Sequence, residues 1–251
     1  MEKKRQIAAV LILLALIGVI AYRHSTGKDL EKYEASFFDV FDTQTQIIGY
    51  ASSKEQFSEQ MSLIKDKFQY YNDLYDIYHD YEGMNNIKTI NDNAGIQPVK
   101  VDEEIIELLK LGITMDEKTD GNMNIAMGSV LSIWHDYREA GSEDPYSAEL
   151  PPMDELEKAA EHTDIHNIVI DEEASTVYLT DPDMSLDVGS IGKGYAVQKV
   201  AEYAKNELGI RYMLFSVGGN VCAIGGHPDG SAWAVGIPVS YTHLRAHETR
   251  E

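Results

Sequence analysis

The stretch that decides the fold is Asp187-Val188-Gly189-Ser190-Ile191-Gly192-Lys193-Gly194-Tyr195-Ala196. Short strands are predicted before it, at 176–179 and 184–186, and small apolar residues recur at helical spacing after it. A glycine-rich turn that opens a helix presents free N–H groups and the positive end of the helix dipole, which favours anions. Lys193 adds a positive charge and Asp187 an acceptor. The glycine spacing matches neither the dinucleotide nor the P-loop pattern, so phosphate binding and an ordinary strand-to-helix turn both stay open.

Three further segments of the sequence form a set of four ordered motifs together with this turn. They are 76–95, which contains Tyr78 and ends in Asn91-Asp92-Asn93-Ala94-Gly95; 119–128, which begins Thr119-Asp120-Gly121; and 212–221, which carries Val217-Gly218-Gly219-Asn220. In this order the four segments resemble the core motifs of the FAD:protein FMN transferases, the ApbE family. The resemblance covers residues 38–238.

The resemblance implies a fold and an activity. The fold would be α+β, with mixed sheets and flanking helices, of the T-fold-like ApbE type, preceded by one apolar N-terminal helix. The activity would split FAD at its pyrophosphate and move FMN onto a Thr or Ser hydroxyl of a target flavoprotein, with release of AMP. The acceptor would carry a D-x-x-[ST]-G-A-T-like site, and Mg²⁺ would be required.

The resemblance also implies roles for individual residues. Lys193 would neutralise the pyrophosphate, Asp187 would hold the adenosine part or orient the loop, and Tyr78 would stack on a ring. Ser190 would offer an oxygen to Mg²⁺, and no catalytic residue is assigned. The remaining pocket residues would be Phe41, Asn122, Met123 and Asn124. A packing role for Tyr78 and a plain turn at 218–220 stay open.

Composition excludes some classes of function. The chain has 251 residues, is 43% hydrophobic and carries a formal charge of −21, so nucleic acid is excluded as a partner because its phosphates need a basic face. Cys222 is the single cysteine, which excludes an internal disulfide and a cysteine metal cluster. Its apolar neighbours predict a buried thiol.

The N-terminus predicts a membrane segment. Three positive charges precede an uncharged run from Ile7 to Tyr22, so residues 1–24 are either a signal anchor or a signal peptide. The lack of a small-residue cleavage site favours an anchor in the cell membrane, with the domain on the extracytoplasmic side. Residues 25–33 are predicted to be a linker.

The remaining chain is predicted to hold one α+β domain at 34–238. We expect a hairpin at 34–50, another at 168–179, and two later strands at 212–217 and 232–237. Helices are expected at 54–75, 102–119 (with Asp102 as N-cap), 130–137, 151–161 and after Lys193, with a short helical piece inside 80–95.

The C-terminus departs from the resemblance. Residues 239–251 are rich in His and Arg, lie beyond the residues that carry the resemblance and predict an artefactual tail on a truncated domain, although a natural surface tail stays open. The family's H-x-x-D-P and D-A-x-x-T segments, the second of which holds most of its Mg²⁺ ligands, do not occur. Two other functions stay open: an FAD-binding or FAD-hydrolysing surface protein without transferase activity, and an anchored scaffold.

Overall fold

The computed structural model describes residues 12–18 and 30–236. Residues 12–18 are helical; the rest of the predicted membrane segment lies outside the described residues, as does the predicted tail at 239–251. Within the described ranges, no helix combines the length and the apolar character needed to cross a membrane.

Between residues 30 and 236 the chain forms a mixture of strands and helices, which confirms the predicted α+β class. The strands are β1 (Glu31–Val40), β2 (Thr43–Ala51), β3 (Val99–Lys100), β4 (Ile168–Asp171), β5 (Thr176–Leu179), β6 (Met213–Val217) and β7 (Asn220–Ile224). The helices are α1 (Lys54–Tyr75), α2 (Ile87–Asp92), α3 (Glu103–Lys118), α4 (Gly128–Glu143), α5 (Met153–Ala160) and α6 (Gly192–Asn206), with a 3₁₀ turn at Ile165–Asn167.

The main sheet has the order β1-β2-β6-β7, and every pair in it is antiparallel. Met213, Phe215 and Val217 of β6 are buried and alternate with less buried residues, as expected of a strand with one well-covered face. Helices α1 and α6 pack on the sheet. The ring of Phe68 from α1 lies 6.3 Å from that of Phe215, centroid to centroid. The core therefore lies between this sheet and the two helices.

A second antiparallel sheet has the order β3-β5-β4. Its β4–β5 hairpin confirms the strands predicted at 168–179. Helix α3 begins at the predicted cap, because the Asp102 carboxylate accepts a hydrogen bond from the N–H of Glu104 at 3.0 Å. Helix α4 extends beyond the predicted 130–137 at both ends.

Two predicted strands do not form. Residues 184–186 are irregular, because the backbone groups of Leu186 bond to the side chain of Asn91 instead of to a strand. Residues 232–236 are irregular as well; there, the indole N–H of Trp233 donates to the carbonyl of Gly225 at 3.0 Å and ties the segment to the loop after β7. The strand that follows β6 is instead β7.

The predicted burial of Cys222 is wrong. Its thiol is half-buried, because residues 221–223 of β7 alternate between exposed and half-buried positions at the edge of the main sheet. Burial raises the pKa of the thiol, so little of the reactive thiolate is present near neutral pH.

Candidate functional site

The glycine-rich turn forms a compact loop that leads into α6. The carboxylate of Asp187 accepts a hydrogen bond from the N–H of Gly189 at 2.8 Å, and the carbonyl of Val188 accepts one from the N–H of Gly192 at 2.7 Å. Helix α6 has no side-chain cap. Among the described residues, no acceptor bonds to the N–H groups of Lys193 and Gly194. The helix start is therefore an open set of donors.

The 76–95 motif holds this loop through Asn91. Its amide oxygen accepts a hydrogen bond from the N–H of Leu186 at 2.8 Å, and its amide nitrogen donates to the carbonyl of the same residue at 3.0 Å. Leu186 is fully buried, so both backbone groups need a protein partner. Asn91 thereby fixes the chain immediately before Asp187.

The 119–128 motif supports the loop from another side. The N–H of Asp187 donates to the carbonyl of Ile125 at 2.9 Å, and the N–H of Gly128 donates to the carbonyl of Ser185 at 3.0 Å. A Cβ at Gly128 would lie 2.5 Å from that carbonyl oxygen. The close approach of the two segments requires glycine there.

The 212–221 motif meets the loop beside α6. Gly218 has a φ of +52°, and a Cβ there would lie 2.6 Å from the hydroxyl of Thr43. The side-chain oxygen of Asn220 lies 3.2 Å from where a Cβ of Gly194 would sit. The three other sequence motifs therefore contact or adjoin the segment 185–194, which contains most of the fourth.

This segment forms one wall of a cleft of about 480 Å³. Four of the eight site residues predicted from the sequence line it: Phe41, Tyr78, Asp187 and Lys193. Its full lining is Asp39, Phe41, Asp42, Asn72, Tyr75, Asp76, Ile77, Tyr78, His79, Tyr81, Arg138, Asp187, Val188, Gly189, Gly192 and Lys193.

The other four predicted residues do not line the cleft. Asn122 is exposed and donates to the carbonyl of Thr119 at 2.7 Å. Met123 packs against the core. The side-chain amide of Asn124 bonds only to backbone groups of the described chain. Ser190 is exposed in the loop. As the structure places them, Asn122 and Asn124 shape the segment that supports the loop.

Phe41 reaches the cleft from the β1–β2 turn. Phe41 and Asp42 have φ values of +55° and +47°, the geometry of a two-residue type I′ hairpin turn. Left-handed backbone costs a non-glycine residue about 1–2 kcal/mol. The side-chain oxygen of Asn72 accepts the N–H of Phe41 at 2.7 Å and helps to hold this conformation. Strained backbone of this kind is common at functional sites.

Asp76 orders the cleft wall that carries Tyr78. Its carboxylate accepts hydrogen bonds from the N–H of Tyr78 at 2.6 Å and from the hydroxyl of Tyr81 at 2.7 Å, and it pairs with the ring of His79 at 2.9 Å. Burial acts to raise the pKa of Asp76, but these hydrogen bonds together hold the pKa below its usual range. The carboxylate is therefore charged and engaged at neutral pH.

The cleft holds more carboxylates than cations, but most of the carboxylates already have partners. Asp39 pairs with Lys65, while Asp76 and Asp187 accept the hydrogen bonds described above. The ammonium of Lys193, by contrast, has no carboxylate within 4.0 Å among residues 12–18 and 30–236. A half-buried, unpaired cation beside open N–H groups suits an anionic ligand.

The sequence reasoning missed several lining residues. Arg138 enters from α4, and a second groove of about 540 Å³ adjoins the cleft there, sharing Tyr78, Arg138 and Asp187 with it. The i, i+3 spacing of His135 and Arg138 is a signal that could have suggested a joint role. Nothing in the local pattern points to Asn72.

Comparison with known proteins settles the family. The model of the ApbE family matches residues 41–248. The chain belongs to the ApbE family. It is 25% identical over 177 residues to the FAD:protein FMN transferase of Escherichia coli K12, covering 69% of this chain and 49% of that protein. It is 28% identical over 144 residues to the FAD:protein FMN transferase of Treponema pallidum, covering 55% of this chain and 38% of that protein.

Solved ApbE structures share the fold. The ApbE protein of Thermotoga maritima aligns with a TM-score of 0.69 at 24% identity, over 83% of this chain and 64% of its own. The flavin transferase ApbE of Vibrio cholerae aligns with a TM-score of 0.68 at 20% identity, with the same coverage. At these identities the likeness shows the ApbE fold alone. The chain spans about half the length of the Escherichia coli relative.

Proposed function

We propose that this protein binds FAD in the cleft and transfers the FMN half to a Thr or Ser hydroxyl of a target flavoprotein. The observation that carries the proposal is a cleft lined by the 76–95 motif and by the turn at 187–196, with Lys193 and the open start of α6 in its wall. The 119–128 and 212–221 motifs support or adjoin that turn. Membership of the ApbE family and relatives named FAD:protein FMN transferase support it.

The chemistry is a phosphoryl transfer. The acceptor oxygen forms a bond to the FMN-side phosphorus, the bond from that phosphorus to the bridging oxygen breaks, and AMP leaves with the electron pair. The hydroxyl proton passes to a base that we leave unassigned. Lys193 and the N–H groups of Lys193 and Gly194 would neutralise charge on the phosphate oxygens, which is the main contribution a protein makes to such reactions. Tyr78 offers a half-exposed ring for stacking.

Ser190 alone does not make a magnesium site. Mg²⁺ takes six oxygen ligands in octahedral geometry, and this exposed loop residue supplies one hydroxyl. In the described part of the chain, the single group of three His, Cys, Asp or Glu side chains close enough to share an ion is His162, Asp181 and Asp183, and none of the three lines the cleft. A Mg²⁺ requirement remains part of the proposal through the family resemblance.

FAD binding is the first test. Lys193→Gln should weaken FAD by about 1–3 kcal/mol, the range for a charged hydrogen bond, in isothermal calorimetry. Lys205→Gln is the matched control, because Lys205 lies in the last turn of the same helix, away from the cleft lining. Unchanged affinity of the Lys193 variant would remove the phosphate role of that residue.

Transfer is the second test. The protein, FAD, Mg²⁺ and an acceptor with a D-x-x-[ST]-G-A-T site should give an acceptor band with flavin fluorescence in a denaturing gel, and an equal amount of AMP. Release of AMP and FMN without a labelled acceptor would favour an FAD-hydrolysing protein instead. Absence of FAD binding by the unaltered chain would refute the proposal.

We further propose that the run Ile7–Tyr22 anchors the protein in the cell membrane with its domain on the extracytoplasmic side. The charge asymmetry of the first residues supports this orientation. Alkaline phosphatase fused after Lys32 should be active in cells, since that enzyme needs an oxidising compartment to form its disulfides. An inactive fusion, with an active cytoplasmic reporter at the same position, would reverse the topology.

A further inference from the structure

An arginine outside the four motifs lies in the cleft wall. Arg138 belongs to α4 and lines the cleft together with Lys193 of α6. It also lines the adjoining groove. The two cations therefore reach the same cavity from two different helices.

The side chain of Arg138 is held in place by His135. A guanidinium nitrogen of Arg138 lies 2.7 Å from the Nδ1 of His135. Arginine can only donate hydrogen bonds, so Nδ1 accepts, and His135 is the neutral tautomer with its proton on Nε2. That Nε2 lies 3.1 Å from a carboxylate oxygen of Glu139, which can accept the proton. Both ring nitrogens are thus engaged, and the orientation of the ring is fixed.

Tyr78 packs against the same histidine. Its ring centroid lies 5.1 Å from that of His135, with 30° between the ring planes, and its hydroxyl lies 3.4 Å from Nδ1. The ring expected to stack on the ligand and the guanidinium therefore share one support.

Most of the binding capacity of Arg138 remains available. Of the five N–H donors of a guanidinium, one is used on His135. Within residues 12–18 and 30–236, no carboxylate lies within 4.0 Å of the guanidinium. A planar fork of this kind matches two phosphate oxygens at once, which a lysine cannot do.

We propose that Arg138 is a second phosphate-binding residue of the cleft, which holds the FAD pyrophosphate together with Lys193. This inference rests on the proposed function. It assigns the two cations complementary roles: Lys193 acts as a point charge, and Arg138 fixes the orientation of the phosphates by paired hydrogen bonds.

The test compares FAD with riboflavin, which has the same ring and no phosphate. Arg138→Gln should weaken FAD about 10- to 100-fold in flavin-fluorescence titration, because charged hydrogen bonds are lost, and should leave riboflavin affinity within about twofold. Arg138→Lys should restore only part of the loss, because it keeps the charge and loses the fork. Lys205→Gln is the charge-matched control and should bind FAD as the unaltered chain does.

The outcomes separate the two proposals. If Arg138→Gln binds FAD within twofold of the unaltered chain while Lys193→Gln is weakened, the role of Arg138 is refuted and the proposed function stands. Equal loss of FAD and riboflavin would also refute it, since Arg138 would then support the ring or the fold. If the unaltered chain binds no FAD, both proposals fail.

Discussion

Replacing Asn91 with alanine tests how the cleft loop is held. The Asn91 amide bonds to both backbone groups of the fully buried Leu186, at 2.8 and 3.0 Å. Alanine would leave a buried N–H and a buried carbonyl unpaired, and each such group costs about 1–3 kcal/mol. Asn91 is itself half-buried, so water can reach part of the space. We therefore expect the free energy of unfolding to fall by about 2–4 kcal/mol.

The measurement is urea unfolding followed by circular dichroism, with FAD titration on the folded variant. Asn85→Ala is the matched control. Asn85 is exposed and donates one hydrogen bond to the carbonyl of Lys100 at 2.8 Å, so its loss should stay within about 0.5 kcal/mol. Asn91→Ala should also weaken FAD more than Asn85→Ala does, since the segment before Asp187 loses its support.

The conservative variant sharpens the test. Asn91→Asp keeps the volume and the acceptor for the Leu186 N–H, but places an oxygen against the Leu186 carbonyl, so it should destabilise the protein as well. An Asn91→Ala protein whose free energy of unfolding lies within 0.5 kcal/mol of the unaltered chain would refute the reasoning about the loop.

Two further predictions concern Gly128, which packs against the chain before the cleft loop, and the pairing of His162 with Asp181. Gly128→Ala should lower the free energy of unfolding by about 1–3 kcal/mol by overpacking, because its Cβ would meet the backbone oxygen of Ser185 at 2.5 Å. Gly236→Ala is the control, because its Cβ would meet nothing within 4 Å, and it should be close to neutral in the same urea experiment. Equal effects of the two substitutions would contradict the argument. The hydrogen bond to Asp181 raises the pKa of His162 above 6.5, so the stabilisation it contributes is complete below about pH 6.5 and is lost as the pH rises through the raised pKa. The difference in melting temperature between the unaltered chain and His162→Gln should therefore be larger at pH 5.5 than at pH 9, and a pH-independent difference would contradict it.

Local patterns predicted the helices well. The apolar spacing of α1 and the cap at Asp102 depend on residues within a few positions of each other, and the structure has both. Hairpin β4–β5 was predictable for the same reason, since its strands are joined by a short turn.

Strand identity at the end of the described chain was not predictable from local pattern. The segments 220–224 and 232–236 are both short and apolar, and the first becomes β7 because it follows a tight Gly218-Gly219 turn and pairs with β6. The segment 184–186 has the composition of a strand, but its backbone partner is a side chain 95 residues earlier in the sequence. Such pairings are decided by which surfaces the fold brings together.

The sequence by itself determined the α+β class, the four motifs and their order, and the glycine-rich turn before the helix at 192–206, because these depend on residue type and short spacing. Only the tertiary structure decided that Phe41, Tyr78, Asp187 and Lys193 share one cleft, that Asn122 and Asn124 lie outside it, and that Arg138 lies within it. The physical reason is that a cleft is a property of packed elements. Its walls come from the β1–β2 turn, the loop after α1, the side of α4 that carries Arg138, and the start of α6. These elements are brought together by long-range packing and hydrogen bonds, which cannot be read from a short stretch of sequence.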